Sequence, residues 1–393
     1  MTQTLDMAAA SHRISDIRIH SLSAPFGRAY WLALEPYTAS TVVLVEVETD
    51  GGLIGIGEIH ARPHSEIVRV LEEAFKPRLL GEDPVDTERL WQMMFRLTYT
   101  RDAARFADTD GHPIGESGKQ SMMAAIGGVD IALWDLKAQI AGLPLYKLLG
   151  GQVASVPAYA SGGYYGDDGG ADIDGLLAEM TSYAERGYEA VKMKVGGLSI
   201  AEDVERVSAV REALPDVKLM VDATCAWDVA TAIEAARAFE PFEIDWLEEP
   251  VAWFDPVEAL AQVAAATRIP IASGEQELHR WGCRNLVDRG GIRVMQFDCS
   301  RSGGVSEWLR IAAYAAAHNV QMAPHFDPKI HGHLVAAAPN GLIQEVTPDD
   351  PFWLELFVER PDVREGHIVL SDRPGLGLVL DREVLARYSS GAS

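Results

Sequence analysis

The sequence predicts an α/β fold: a closed (β/α)₈-type barrel carrying an α+β capping domain formed by the N-terminal part and the C-terminal segment. Three observations predict it. From Val153 to about residue 350 a short apolar strand, a loop and an amphipathic helix alternate through eight units. Polar residues capable of chemistry recur at the ends of these strands, one per unit, and the segments on either side do not follow the repeat. A doubly wound open sheet is the alternative, but its Gly-rich dinucleotide fingerprint after the first strand is missing.

The first unit, residues 1–152, reads as α+β. Alternation in Ile17 to His20, Thr41 to Glu48 and Leu53 to Glu58, with Asp50-Gly51-Gly52 turning between the last two, gives a hairpin with one more strand beside it. Helical periodicity follows in Ser65 to Phe75, Pro84 to Leu97 and Lys119 to Ile140. Between the last two, Thr98 to Ser117 is polar and long for a connection, so it is either a lid or a surface insertion. The barrel, 153–350, takes strands at Val156 to Ala160, Ala190 to Lys194, Lys218 to Asp222, Asp245 to Glu248, Ile269 to Ser273, Val294 to Phe297, Val320 to Ala323 and Leu342 to Glu345. Residues 351–393 leave the repeat and are expected to return to the capping domain.

At 393 residues and 48% hydrophobic, the chain buries a large core. Its formal charge of -24, from 58 acidic against 34 basic residues, argues against nucleic acid or an anionic membrane as partner. A small acidic substrate stays open, because local cations decide that. Cys225, Cys283 and Cys299 have no CxxC spacing, so neither a disulfide framework nor a thiolate metal site is suggested, which fits a cytoplasmic protein. No export signal and no apolar run long enough for a membrane span is visible.

Lys192 and Lys194 stand two apart on a strand and so share a face. On an edge strand they would simply face water. Inside a barrel they call for carboxylates and an anionic ligand on the same side, and each charge is expected to lower the other's pKa until one lysine can act as a base. The strand-end residues Lys194, Asp222, Glu248, Glu275, Asp298, His325 and Glu345 follow one another at 20 to 28 residues, about one β/α unit each, and would converge on one mouth. Asp222, Glu248 and Glu275 form an all-oxygen set suited to a hard cation, Mg²⁺ or alternatively Mn²⁺. Asp298 beside His325 would fix the imidazole tautomer and raise its pKa, making a proton donor or acceptor near neutrality. His331 and His333 fall in the following helix and read as structural, and nothing visible activates Cys225 or Cys299.

Lys192-Met193-Lys194, Val221-Asp222-Ala223, Trp246-Leu247-Glu248-Glu249-Pro250, Ser273-Gly274-Glu275, Asp298 with Gly303-Gly304, and His325 together resemble the enolase superfamily, in its mandelate racemase subgroup. The likeness spans the whole chain. It implies a modified TIM-like barrel with Asp222, Glu248 and Glu275 as Mg²⁺ ligands and Lys194 and His325 as acid/base groups on opposite faces of the substrate. It further implies that Lys192 and Glu345 hold the substrate carboxylate end and that Asp298 orients His325. Thr224 and Phe297 depart from the subgroup's common Asn and Pro, which bears on substrate identity. Ser161, Arg28, Tyr30, Trp31, His60 and Arg62 are the candidates for substrate contact.

The implied chemistry is removal of the proton α to a carboxylate through an enediolate. Dehydration of an aldonate or aldarate to a 2-keto-3-deoxy acid is the first expectation. A racemase, epimerase or cycloisomerase is the second, and a metal-stabilised barrel that binds without catalysis the third. The expected partner is a small-molecule carboxylate, and a homo-oligomer is expected from the subgroup's habit.

Overall fold

A long hairpin opens the structure: β1 (Ile14–Trp31) and β2 (Pro36–Thr49) pair antiparallel, and β3 (Ile54–Ile59) adds to β2. The computed structural model describes residues 12–99, 118–151 and 153–389, so the expected lid or insertion lies, from residue 100 to 117, outside the described residues. β1 runs well past the expected strand because pairing resumes after an irregularity between Pro25 and Tyr30, where the alternation in the sequence is lost. The helix Lys119–Ile140 lies across β3 at backbone contact. A Cβ at Gly57 would stand 1.9 Å from Gly128 O, and one at Gly55 2.2 Å from Ala132 O. Only glycine lets helix and sheet approach so closely. This helix also docks the capping domain on the barrel: buried Asp130 accepts from the Ser306 N–H and hydroxyl, both at 2.7 Å.

The barrel strands are β4 (Ser155–Gly162), β5 (Ala190–Lys194), β6 (Lys218–Asp222), β7 (Leu247–Glu248), β8 (Ile271–Ser273), β9 (Val294–Met295), β10 (Gln321–Met322) and β11 (Gln344–Val346). They pair in parallel from β4 through to β10, β11 pairs with the free side of β4, and a parallel bridge between Met322 and Gly341 closes the ring. The later strands are shorter than the sequence suggests. The outer helices between them include Ile200–Ala213, Val229–Phe239, Pro256–Ala266 and Gly304–Ala317.

Inside the ring, Tyr159, Ala190, Met220, Trp246, Ala272, Val294, Ala323 and Ile343 form a buried cluster, one residue from each strand or its flank. This is the layer of side chains that fills such a barrel. Residues two apart on a strand share a face. Counting upward in twos from the layer reaches Ser161, Lys192, Lys194, Asp222, Glu248, Gln296, Asp298, His325 and Glu345, so all of these point into the barrel's upper end. Glu275, three residues past Ala272, breaks the count. Gly274, at φ 128, turns the backbone there, and a Cβ on it would lie 2.6 Å from Met295 Sδ.

The C-terminal segment divides its packing. Phe352, Leu356, Phe357, Leu380, Val384 and Leu385 cluster with Leu22, Val42 and Leu44 of the capping sheet. Arg382 there donates to buried Glu46 of β2 at 2.8 and 2.6 Å. Contrary to a simple return to the capping domain, the hairpin Asp362–Arg364 and His367–Val369 instead extends β4 antiparallel at its lower end. Among the described residues no helix is long and apolar enough to cross a membrane.

Candidate active site

Lys192 lies at the centre of the barrel mouth. Its Nζ is 2.5 Å from Glu248 Oε1, 2.8 Å from Glu345 Oε1 and 3.8 Å from Asp222 Oδ2. Lys194 pairs with Asp222 Oδ2. Asp222 is fixed from its other oxygen by the Thr224 N–H (2.8 Å) and hydroxyl (3.3 Å), and Glu248 Oε2 accepts from Gln296 Nε2 (2.6 Å) and Trp246 Nε1 (3.1 Å). The expected depression of Lys194 by Lys192 is present but is outweighed, so no lysine is lowered to a base by the pair alone. Burial opposes both charges, but Glu248 and Glu345 with Asp222 around Lys192, and Asp222 with Tyr164 and Glu248 around Lys194, together hold both above the ordinary lysine range. Glu248, in turn, is pushed up to about 7, by burial and by neighbouring carboxylates, against the pull of Lys192.

Across the mouth, three strands round the ring from β5, His325 follows β10. Its Nδ1–H donates to Asp298 Oδ2 at 2.9 Å, which leaves Nε2 facing Glu275 Oε2 at 3.4 Å. Burial opposes charge on this ring, while Glu275, Asp298 and Glu345 together raise its pKa. Asp298 is held by the Ser300 N–H and hydroxyl at 2.8 and 2.6 Å and stays ionised, well below the usual carboxylate range, because burial is outweighed by His325, His331 and Ser300 together. His331 does more than fill space. Its Nε2 accepts from Cys299 N–H (3.0 Å) and its Nδ1 donates to Phe326 O (2.9 Å), joining the two loops that carry Asp298 and His325.

Five carboxylates, Asp222, Glu248, Glu275, Asp298 and Glu345, thus face three permanent cations, Lys192, Lys194 and Arg301, the last 3.4 Å from Glu275. The carboxylates outnumber these cations, and burial and their crowding push Glu248 up to about 7. A divalent cation is a group that such an excess of carboxylates fits.

The outer candidates fall at different places. Ser161 is buried, in register with Lys192, and lines a small cavity of about 30 Å³ with Tyr30, Tyr164 and Glu179. Arg28 lies over the Tyr30 ring at 4.8 Å, Tyr30 meets Tyr164 edge-on at 4.9 Å, and the Tyr164 ring is 6.0 Å from Lys194 Nζ. Arg28 therefore reaches the centre only through two aromatic rings. Trp31 anchors the loop after β4 by donating to Asp167 O at 3.0 Å. Arg62 donates to Thr41 Oγ1 at 3.2 Å.

His60 is a correction. Its side chain is 8% exposed and is directed at Glu58 (3.3 Å) and Asp327 (3.5 Å) instead of an open pocket, because those two buried carboxylates compete for it. Burial opposes its charge, but Asp327 and Glu58 raise its pKa to about 10. Glu58, His60 and Asp327 offer ligand atoms within 4.8 Å of one another, but Lys329 Nζ, at 3.4 Å from Glu58 and 3.2 Å from Asp327, already supplies the cation.

Sequence reasoning missed Gln296, Glu249 and Arg206. Gln296 was visible as the inward neighbour two before Asp298. Glu249 accepts from Ser273 Oγ (2.9 Å) and Gly274 N–H (2.8 Å), and burial and Glu275 push it up to about 8. Arg206 reaches the site from a helix, with no local signal.

Residues 21–150 match the family described as mandelate racemase/muconate lactonizing enzyme, N-terminal domain, and residues 175–384 match enolase C-terminal domain-like. The chain is 36% identical over 353 residues to L-talarate/galactarate dehydratase of Salmonella typhimurium, covering 89% of this chain and 83% of that protein. It is 35% identical over 359 residues to 3,6-anhydro-alpha-L-galactonate cycloisomerase of Streptomyces coelicolor, covering 89% and 92%. The crystal structure of L-talarate dehydratase from Polaromonas sp. JS666, complexed with Mg and L-glucarate, superposes with TM-score 0.81 at 34% identity, covering 97% of this chain and 98% of that one. With both halves matched and the strand-end residues gathered at one mouth, the chain belongs to the mandelate racemase/muconate lactonizing enzyme family of the enolase superfamily.

Proposed function

We propose that the protein is a Mg²⁺-dependent acid-sugar dehydratase, converting an aldonate or aldarate to a 2-keto-3-deoxy acid. The observation that carries this is the placement of Lys194 and the Asp298-held His325 on opposite sides of one carboxylate-rich mouth with Lys192 at its centre. Asp222, Glu248 and Glu275 would hold the metal ion. A bound ion would supply positive charge to the developing enediolate, and Asp222, engaged with it, would hold the Lys194 proton less tightly.

Lys194, as the free amine, takes the proton from the carbon next to the carboxylate, and the electron pair delocalises into an enediolate. Lys192 stabilises the added charge more than it does the ground state. His325, as imidazolium, delivers a proton to the β-hydroxyl, which leaves as water. The enol left behind tautomerises to the 2-keto acid, so atoms and charge balance. The relatives support the same reading, since one is named for dehydration of talarate and galactarate and another was solved with Mg and L-glucarate.

A panel of acid sugars, galactarate among them, assayed for 2-keto products and for α-hydrogen exchange in D₂O, tests it. Keto acid formation is expected. Exchange without keto acid would shift the assignment to a racemase, epimerase or cycloisomerase, which the two-sided Lys194/His325 arrangement and the similarity to a cycloisomerase both allow.

Added Mg²⁺ is also expected to raise the melting temperature, reversibly with EDTA. One site filled at 100 times its dissociation constant stabilises by about 2.7 kcal/mol. No shift at millimolar Mg²⁺ would remove the three-carboxylate site from the account.

A further inference from the structure

We propose that His60 is a positioning residue for the His325–Asp298 pair, tying the capping domain to both loops that carry the pair. The inference rests on the reading of His325 as an acid/base group. The backbone N–H of His60 donates to Ser300 O at 3.1 Å, and Ser300 is the residue whose N–H and hydroxyl hold Asp298. The ring Nε2 of His60 stands 3.5 Å from Asp327, two residues beyond His325. One residue of β3's end thus touches both loops.

The second loop needs such a hold. Phe326 and Asp327 adopt φ of 52 and 39, a left-handed conformation that non-glycine residues seldom take and that persists where the surroundings impose it. The surroundings can be named. The Phe326 N–H donates to Glu345 Oε2 at 2.8 Å, its carbonyl accepts from Gln344 Nε2 at 2.7 Å, and its ring packs edge-on against the His60 ring at 4.8 Å. The fully buried Asp327 carboxylate has ion pairs only to His60 and Lys329 among the described residues, and neither of its oxygens has a hydrogen bond of good geometry there. Removing the His60 ring takes away a counter-charge of Asp327 and a wall of Phe326 together. The Lys192–Glu248 and Lys194–Asp222 pairs are not among its contacts. Lys329, from the helix Pro328–Ala337, keeps its own link to Glu58.

The test pairs kinetics with a signal that needs no substrate. His60→Ala and Asp327→Asn are each expected to lower kcat about 10- to 100-fold on the acid sugar the parent enzyme turns over, with KM within about threefold, as for a catalytic group displaced by a distant change. The double variant is expected to be no worse than the more damaging single one. In ¹⁵N-histidine NMR the His325 ring signals, identified by their loss in His325→Asn, are expected to shift or broaden in both variants. Those of His333, whose ring bonds Tyr146 N–H and the Leu376 carbonyl, are expected to stay. Unmoved His325 signals, or losses that multiply in the double variant, overturn the inference. Should His60→Ala not fold, His60→Gln, which keeps an N–H donor and much of the side-chain bulk but no ring or positive charge, takes its place with the same readouts. His325→Asn with full turnover would instead sink the acid/base reading, and the NMR comparison would still decide whether His60 positions that loop.

Discussion

Lys194→Ala is expected to lower turnover by about 10²–10⁴-fold, the range a positioned general acid or base contributes. His325→Asn should fall in the same range, and the two losses should differ in kind. If Lys194 takes the α-proton, its alanine variant loses both keto acid formation and exchange of the α-hydrogen in D₂O. His325→Asn then keeps exchange and loses elimination, because the enediolate still forms but the hydroxyl has no proton donor. The opposite pattern would exchange the two roles. Neither side chain is a bland surface group: Lys194 is 11% exposed and paired with Asp222, and His325 has Nδ1 committed to Asp298 at 2.9 Å. Melting curves recorded alongside separate chemistry from folding, since Lys194→Ala leaves Asp222 with Lys192 at 3.8 Å as its nearest ammonium. Turnover undiminished in both variants would end the catalytic assignment.

Much of this site was legible because a barrel strand obeys a period of two and a β/α unit repeats at a near-constant length. Those two regularities alone bring Lys192, Lys194, Asp222, Glu248, Asp298, His325 and Glu345 to one end of one cavity. Glu275 keeps the unit spacing but not the period of two, because it arrives by way of the positive φ of Gly274. The net direction of the lysine shifts was out of view for a different reason. A pair of lysines two apart is visible locally, but the carboxylates around them come from strands 28 to 153 residues further on, and they outnumber the cations. His60 was expected to reach the substrate, and its contact with Asp327 was out of view because Asp327 lies 267 residues away and turns inward through two left-handed residues. The hairpin that extends β4 comes from a C-terminal stretch whose three-residue strands are too short to show a period.

Arg206→Ala is expected to cost about 3–5 kcal/mol of stability, the penalty for breaking a buried ion pair by removing one partner. Arg206 sits in the helix Ile200–Ala213 with no exposed surface, and its guanidinium spans three elements. Nη1 donates to Lys194 O at 2.6 Å and Asp203 Oδ1 at 3.1 Å, and Nη2 to Gly163 O at 2.8 Å and Tyr164 O at 3.3 Å. The Tyr165 ring centroid lies 4.1 Å from its central carbon. Truncation leaves the buried Asp203 carboxylate without its cation and strands carbonyls at the ends of β4 and β5, each a group that is costly to bury unpaired. One of those carbonyls belongs to Lys194 itself, so activity is expected to fall together with stability. Arg206→Lys is not expected to restore either, because a single ammonium cannot reproduce a fork that serves several acceptors at once. Replacing both partners, Arg206→Met with Asp203→Leu, should recover part of the stability, since no uncompensated charge remains, yet none of the activity. Denaturant unfolding monitored beside turnover measures both. A single variant that loses under about 1 kcal/mol would mean that the loops after β4 and β5 are held by their packing alone, and that Lys194 owes its position to the strand and not to the arginine beneath it.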